Sequence, residues 1–104
     1  MLFLKKEYFD AVRAGTKTTT LRFWRHRRVR PGSVHWVRGL GQLYIESVRL
    51  VELDELTDAD AGRDGFENLS ALRLAMDEHY PPEQRAGRQL YLVEFRYLPD
   101  DFLP

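Results

Sequence analysis

The stretch Ala14-Gly-Thr-Lys-Thr-Thr-Thr-Leu-Arg-Phe-Trp24 brings a lysine, an arginine, four threonines and two aromatic residues into eleven consecutive positions. We expect Gly15 to end a helix and the β-branched run after it to form a strand over residues 16–24. Side chains two positions apart share one face of a strand, and here they are Thr16, Thr18, Thr20, Arg22 and Trp24. An arginine and a tryptophan on one face can hold a phosphate and stack a flat ring. A lysine beside a hydroxyl can bind an anion or activate that hydroxyl as a nucleophile. The stretch therefore indicates a functional site, with a solvated polar strand face as the alternative.

The rest of the chain predicts strands and helices that do not alternate as βαβ units. We expect strands at 2–4, 34–38, 43–53 and 89–98, and helices at 6–14 and 69–80. Asn68 can cap the second helix, and the two prolines at 81 and 82 end it. Other expected features are a basic loop at 25–30, a turn-like acidic segment at 57–65 and a loosely held tail at 99–104. The sequence thus predicts one α+β domain, residues 1–104, with a small, mostly antiparallel β-barrel and two helices in the order β-α-β-β-β-α-β.

Length and composition restrict the class of protein. The chain has 104 residues, which suits one domain with a modest core. It has no cysteine, which excludes disulfides, thiolate metal sites and a cysteine nucleophile. No apolar run is long enough to span a membrane, and the apolar start of the chain is too short for a signal peptide. We therefore expect a cytoplasmic protein with no membrane partner.

Charge is segregated along the chain, although the formal net charge is zero. Residues 1–51 carry eleven basic and three acidic side chains, whereas residues 52–104 carry five basic and thirteen acidic ones. The basic half contains the stretch at 14–24, so it can form a local patch that binds a polyanion. Pairing of the two halves with each other is the alternative.

The spacing Gly15-x-Lys17-x-x-Thr20-x-Arg22 resembles the signature of the ASCH domain family, β-barrel relatives of the PUA RNA-binding domain. The likeness extends to Arg30-Pro-Gly-Ser-Val34, Ala61-Gly-Arg-Asp-Gly-Phe66 and Tyr91-Leu-Val-Glu-Phe95. The resemblance implies a PUA-like fold and a cleft beside the barrel that holds a nucleotide or nucleobase. Family members include RNA-associated modules, ribonucleases and single-domain bacterial hydrolases of N4-acetylcytidine that are similar in size to this chain.

The resemblance also implies roles for particular residues. The hydrolases use a lysine, a threonine and a glutamate, which match Lys17, Thr20 and a position near Asp64. Asp64 is one methylene shorter than glutamate, and Glu67 is a second candidate for the acid. Thr20 would attack the amide, Lys17 would act as its base, and Asp64 would protonate the leaving amine or orient the base. This chemistry needs a lowered pKa of Lys17. It also needs a turn or bulge near residues 17–19, because Lys17 and Thr20 face opposite sides of a regular strand.

A set of basic and aromatic side chains is predicted to bind nucleic acid. Arg22 can clamp a phosphate or a base edge, or it can pair with an acid of the second half. Trp24 is the expected stacking residue, and the loop at 25–30 has the composition of an RNA backbone contact, with a solvated loop as the alternative. The full set is Lys17, Arg22, Trp24, Arg25, Arg27, Arg28 and Arg38. The histidine and acid spacings do not indicate a metal, and we find no nucleotide-cofactor motif, so we expect no metal and no cofactor.

The sequence therefore favours recognition of RNA or a modified nucleoside in a cleft lined by Lys17, Thr20, Arg22 and Asp64. Hydrolysis of N4-acetylcytidine by the same residues is the first alternative, and a ribonuclease with the same basic cleft is the second. A protein-interaction module is a third, and it would require this face to be buried or paired internally. Free nucleoside and RNA polymer both stay open as ligands.

Overall fold

The computed structural model describes residues 2 and 4–99 of the chain. A 3-10 turn over Lys6–Tyr8 leads into the first helix. In chain order the elements are α1 (Phe9–Ala14), β1 (Thr19–Trp24), β2 (Val34–Val37), β3 (Gly41–Leu50), α2 (Asp58–Arg63), α3 (Leu69–His79) and β4 (Gln89–Leu98). Within the described ranges, no helix has the length and apolar character that crossing a bilayer would need.

The four strands form one antiparallel sheet in the order β1-β4-β3-β2. Although β4 comes last in the chain, it lies inside the sheet, where residues 89–94 pair with β1 and residues 91–98 pair with β3. A shift of register between Ile45 and Ser47 marks a bulge that bends β3. The predicted α+β fold with a mostly antiparallel sheet is confirmed, and β1 and β2 are its two edges.

Apolar clusters cover both faces of the sheet. On one face, Phe9 and Val12 of α1 pack with the inward side chains of the last strand, namely Tyr91, Val93, Phe95 and Tyr97. The alternation in the strand predicted at 89–98 puts these four side chains on one face, and the structure confirms it. On the other face, Leu90 and Leu92 pack with Leu72 and Met76 of α3. The two helices therefore lie on opposite sides of the sheet.

The first helix and the helix at 69–79 agree with the sequence analysis. Gly15 ends α1 with φ 79°, a left-handed backbone conformation that glycine adopts without steric cost. The side chain of Asn68 caps α3 by accepting a hydrogen bond from the Ala71 N–H at 2.9 Å. The strand predicted at 43–53 covers Gly41–Leu50 instead, and the strand predicted at 34–38 ends at Val37.

The acidic segment at 57–65 was predicted to be turn-like, and this prediction is wrong. It contains helix α2, which begins with a capping box between Thr57 and Asp60. The Asp60 N–H donates to Thr57 Oγ1 at 3.2 Å, and the Thr57 N–H donates to Asp60 Oδ2 at 2.8 Å. The bond from the Thr57 N–H holds the pKa of Asp60 below its ordinary range. Local capping therefore creates a helix in a stretch whose composition favours turns.

The strand predicted at 16–24 begins only at Thr19. Residues 16–18 are held by other parts of the chain, because the N–H groups of Thr16 and Lys17 both donate to the Ala11 carbonyl oxygen. The Thr18 N–H donates to the Arg63 carbonyl oxygen at 2.8 Å. The irregular entry to β1 is thus fixed by α1 and α2.

Two predictions concern the ends of the chain. Leu2 and Leu4 do not lie in a strand, and Phe3 of the predicted strand at 2–4 lies outside the described residues. Most of the tail predicted at 99–104 also lies outside them. The buried side chain of Leu2 packs into the cluster that contains Phe9 and Val12.

We expect Thr57→Ala to lower the free energy of unfolding by about 1 kcal/mol, because the exposed Thr57 side chain caps α2. Urea unfolding followed by circular dichroism measures the change. Ser70→Ala is the matched control, since Ser70 is exposed within α3 and alanine favours a helix interior. Equal stability of Thr57→Ala and the wild-type chain would contradict the capping role.

Candidate functional site

A cavity of about 470 Å³ lies beside the free edge of β1. Its walls come from the turn before α1, the entry to β1, the loop after α2 and the last turns of α3, through Tyr8, Lys17, Arg22, Asp64, Phe66 and His79. Because α1 and α3 cover opposite faces of the sheet, the space between them opens at the edge strand. Polar groups from four distant parts of the chain meet there.

Lys17 and Asp64 form a buried ion pair in this cavity, with only 3% and 4% of their surfaces exposed. Lys17 Nζ donates to Asp64 Oδ1 and also to the Asp64 main-chain oxygen at 2.9 Å. Burial lowers the pKa of Lys17, and the charge of Asp64 opposes this effect. Burial raises the pKa of Asp64, against the effect of Lys17. Low polarity thus brings the two pKa values toward each other and favours movement of a proton at this pair.

The backbone after α2 lets the lysine approach. Gly65 has φ 92°, and a Cβ atom there would lie 3.3 Å from Lys17 Cβ. Glycine satisfies both the backbone conformation and the close contact. Because Gly65 has no side chain, the turn after α2 can place Asp64 beside Lys17 without a clash with the aliphatic part of the lysine side chain.

Two aromatic rings flank the lysine head group. Lys17 Nζ lies 5.0 Å from the centre of the Tyr8 ring and 6.0 Å from that of Phe66. The two rings meet edge to face with their centres 6.3 Å apart. Such contacts with the π faces favour the charged lysine, and the rings also give the cavity flat apolar surface.

Thr20 and Arg22 lie on the same side of β1 and both line the cavity. Arg22 Nε donates to Thr20 Oγ1 at 3.1 Å. This bond occupies a lone pair of the hydroxyl and places a cation beside it, which favours a negative charge on the oxygen. Burial lowers the pKa of Arg22, although arginine keeps its charge in proteins.

A series of hydrogen bonds crosses the cavity from Lys5, which precedes α1, to His79 in α3. Lys5 Nζ lies 3.1 Å from His79 Nδ1, and the Tyr8 hydroxyl lies 3.1 Å from His79 Nε2. A lysine ammonium only donates, so Nδ1 accepts and the neutral ring donates from Nε2 to the Tyr8 oxygen. Burial and the charge of Lys5 lower the pKa of His79, which supports the neutral ring. Burial raises the pKa of Tyr8, so its hydroxyl keeps a hydrogen for a ligand.

The main chain of β1 adds two more polar groups. The Phe95 N–H donates to the Thr18 carbonyl oxygen at 2.9 Å, so the even-numbered residues from 18 to 24 are the ones that bond to β4. Leu21 falls between two of them and lines the cavity. Its N–H and C=O point to the free side of the strand, where they offer one donor and one acceptor.

The structure brings together four of the residues predicted for the site. Lys17, Thr20, Arg22 and Asp64 all line the cavity, and the irregular backbone before Thr19 places Lys17 and Thr20 on the same side. Glu67, the second candidate for the acid, is exposed and does not line it. Of the two candidates, Asp64 is the one that lines the cavity, where Glu78 of α3 is a second acidic residue.

The other predicted nucleic-acid residues lie elsewhere. Trp24 is buried in the core, with its ring centre 5.6 Å from that of Tyr91, so it does not reach the cavity. The remaining four are exposed and are not cavity residues, namely Arg25, Arg27, Arg28 and Arg38.

The sequence analysis did not single out Lys5, Tyr8 or His79. In the helix predicted at 6–14, Phe9 and Val12, with Tyr8 and Ala11 alongside, make an apolar stripe that predicts packing for Tyr8. His79 has no partner near it in sequence. The bond between Tyr8 and His79 joins residues 71 positions apart, so no local pattern could reveal it. A polar aromatic residue on an otherwise apolar stripe was the one available signal.

Comparison with known proteins supports the fold. The model superposes on the crystal structure of the hypothetical protein PH0355 with a TM-score of 0.76 and 16% identity, over 92% of this chain and 95% of that chain. It superposes on an ASCH domain from Lactobacillus crispatus JV V101 with a TM-score of 0.74 and 17% identity, over 92% of this chain and 76% of that one. No protein-family model and no curated protein matches the sequence. The chain therefore has the fold of an ASCH domain, in agreement with the resemblance of its sequence motif.

We expect Asp64→Asn to lower the free energy of unfolding by about 3–5 kcal/mol, because it leaves the buried Lys17 without its counter-charge. Urea unfolding measured by circular dichroism tests this. Asp54→Asn is the matched control, since Asp54 pairs with Arg73 at 3.7 Å on the exposed surface, where ion pairs contribute little. Equal losses in the two variants would contradict a buried ion pair.

Proposed function

We propose that the cavity binds a nucleoside, either free or as a unit of RNA. The observation that carries this proposal is the combination of a buried cation, outward main-chain groups and flat rings in one cavity. Ligand sites in proteins commonly enclose about 300–1,000 Å³, and this cavity of about 470 Å³ falls in that range. Apolar rings with a few fixed polar groups suit a base, which is flat with a hydrogen-bonding edge.

Each part of the base has a counterpart in the cavity. Tyr8 and Phe66 provide surfaces on which a ring can stack, and stacking tolerates every base. The N–H and C=O of Leu21 can bond to a donor and an acceptor on the base edge. Arg22 carries a planar guanidinium that suits a carbonyl oxygen or a phosphate. Together these groups support recognition of a nucleoside by its base.

Hydrolysis of an acylated base is a second candidate, and one observation favours it. The three residues that the ASCH resemblance assigns to hydrolysis of N4-acetylcytidine, Lys17, Thr20 and Asp64, line the same cavity. Burial lowers the pKa of Lys17 and raises that of Asp64, which is the direction that a base and an acid need. Their arrangement therefore supports catalysis as well as binding.

The steps of that reaction follow from the residues. Thr20 Oγ attacks the acetyl carbon while its proton passes to a neutral Lys17. The π bond of the acetyl C=O breaks and the negative charge moves to the acetyl oxygen, which the Arg22 guanidinium beside Thr20 would stabilise. The bond between the acetyl carbon and N4 then breaks, and a protonated Asp64 or Lys17 gives its proton to the leaving nitrogen. Water hydrolyses the acetyl-threonine and releases acetate. Because Lys17 must be neutral, the rate should rise with pH through its lowered pKa.

We expect N4-acetylcytidine to bind to the pure protein and Tyr8→Leu to weaken binding about tenfold, since the variant keeps apolar bulk but loses the aromatic face and the hydroxyl. Isothermal titration calorimetry with N4-acetylcytidine and cytidine measures this. Absence of binding for both nucleosides would contradict the proposal.

Chromatography of the same mixtures separates a binding protein from an enzyme. Release of cytidine by the wild-type chain, lost in Thr20→Val, would establish hydrolysis. Thr18→Val is the matched control, because it makes the same change two positions away and Thr18 does not line the cavity. Binding without release would leave recognition as the function and exclude the hydrolytic candidate.

A further inference from the structure

The sheet face that packs against α3 has an exposed tryptophan on edge strand β2. On the face that packs against α3, the helix covers the end of β4 that holds Leu90 and Leu92. Toward the other end lies edge strand β2, where Trp36 is 57% exposed and Val34 is 49% exposed. Exposed tryptophan is unusual on a sheet face, because it leaves a large apolar area in water.

Strand register shows which side chains accompany Trp36. Val37, Leu43 and Ile45 belong to the buried cluster on the face of α1. Side chains alternate along a strand, so Val34, Trp36 and Tyr44 point to the other face. Val34 pairs with Tyr44, and Trp36 pairs with the residue two positions before Tyr44. Trp36 and Tyr44 are therefore diagonal neighbours on adjacent strands, a relation in which the Cα atoms are about 7–8 Å apart.

Two exposed arginines, Arg96 and Arg38, belong to the strand ends near this aromatic pair. The guanidinium of Arg96, the cross-strand partner of Tyr44, lies 5.2 Å from the centre of the Tyr44 ring. Arg96 also pairs with Glu46 at 3.6 Å. Arg38 follows β2 directly and is exposed, and in the described part of the chain no acid lies within ion-pair distance of it.

We propose that this face binds single-stranded RNA, with neighbouring bases stacked on Trp36 and Tyr44 and phosphates held by Arg38 and Arg96. Single strands bind to positively charged surfaces that carry aromatic side chains, because every base has a face that can stack. Each of the two rings can carry one base. Arg96 lies against the Tyr44 ring and can reach a phosphate beside a stacked base.

Charge argues for RNA over a second copy of the chain. A symmetric dimer through this face would place the same residues of both copies against each other. Arg38, which has no acid within ion-pair distance among the described residues, would then lie near the arginines of the other copy, and like charges oppose association. A polyanion instead gains from every cation on this surface.

The RNA face lies at the opposite edge of the sheet from the cavity, which adjoins β1. The inference therefore extends the proposed function, since it assigns an RNA polymer as the partner rather than a free nucleoside. It does not depend on catalysis in the cavity. Free-nucleoside binding tests the cavity, and binding of an RNA strand that depends on Trp36 tests this face.

Fluorescence anisotropy of a fluorescein-labelled 12-nucleotide single-stranded RNA of mixed sequence tests the proposal. We expect binding to the wild-type protein that weakens as salt is raised. Trp36→Ala should weaken it about five- to one-hundred-fold, and Trp36→Phe should restore part of the affinity. Because Trp36 is exposed, these variants should fold, which circular dichroism verifies.

Leu74→Ala is the matched control, because Leu74 is 64% exposed on α3, which covers the Leu90 and Leu92 end of β4 rather than β2. It should bind RNA like the wild type, and Trp36→Ala should bind N4-acetylcytidine like the wild type. Equal RNA affinity of Trp36→Ala and the wild type, or no RNA binding by the wild type, would overturn the proposal. A dimer seen by sedimentation that Trp36→Ala dissociates would also overturn it, in favour of a second copy.

Discussion

The buried ion pair between Lys17 and Asp64 is the interaction on which the candidate site depends. Each partner would cost several kcal/mol if it were buried alone, so the two segments that carry them must come together. Asp64 ends α2, and Lys17 lies in the irregular entry to β1. The Thr18 N–H, which donates to the Arg63 carbonyl oxygen, joins the same two segments. The ion pair thus fixes the loop after α2 against the edge of the sheet and gives the cavity its shape.

That constraint explains why polar groups collect beside β1. An edge strand leaves alternate main-chain groups unpaired, and here helices on opposite faces of the sheet enclose the space next to them. Tyr8 reaches across this space to His79 at 3.1 Å and connects the two sides. A nucleoside bound as we propose would meet main-chain groups, a hydroxyl and a guanidinium in fixed positions, so that little ordering would be needed on binding. At the opposite edge, no helix in the described part of the chain covers β2, and Trp36 is exposed.

Local signals in the sequence predicted much of the fold. Gly15 and Asn68 marked helix ends, and the alternation from Tyr91 to Tyr97 identified the buried face of β4, because caps and periodicity act over a few residues. Helix α2 is too short for an apolar period, and the cap formed by Thr57 was missed. The motif indicated Lys17 and Thr20. That both side chains point to the same side of β1 depends on main-chain hydrogen bonds from residues 16–18 to α1 and α2. Likewise, tertiary packing alone decided that Trp24 is buried while Trp36 is exposed.

The most direct test of the account is the pKa of Lys17 in the folded protein. The chain has only three lysines, so labelling them with ¹³C at Cε gives three signals that a pH titration by NMR can follow. The account predicts that Lys17 titrates below the ordinary range of lysine because burial outweighs the charge of Asp64. In Asp64→Asn the pKa of Lys17 should fall further, since the opposing charge is gone. Titration of Lys17 at or above its ordinary value, unchanged in Asp64→Asn, would contradict a buried pair at the centre of the site.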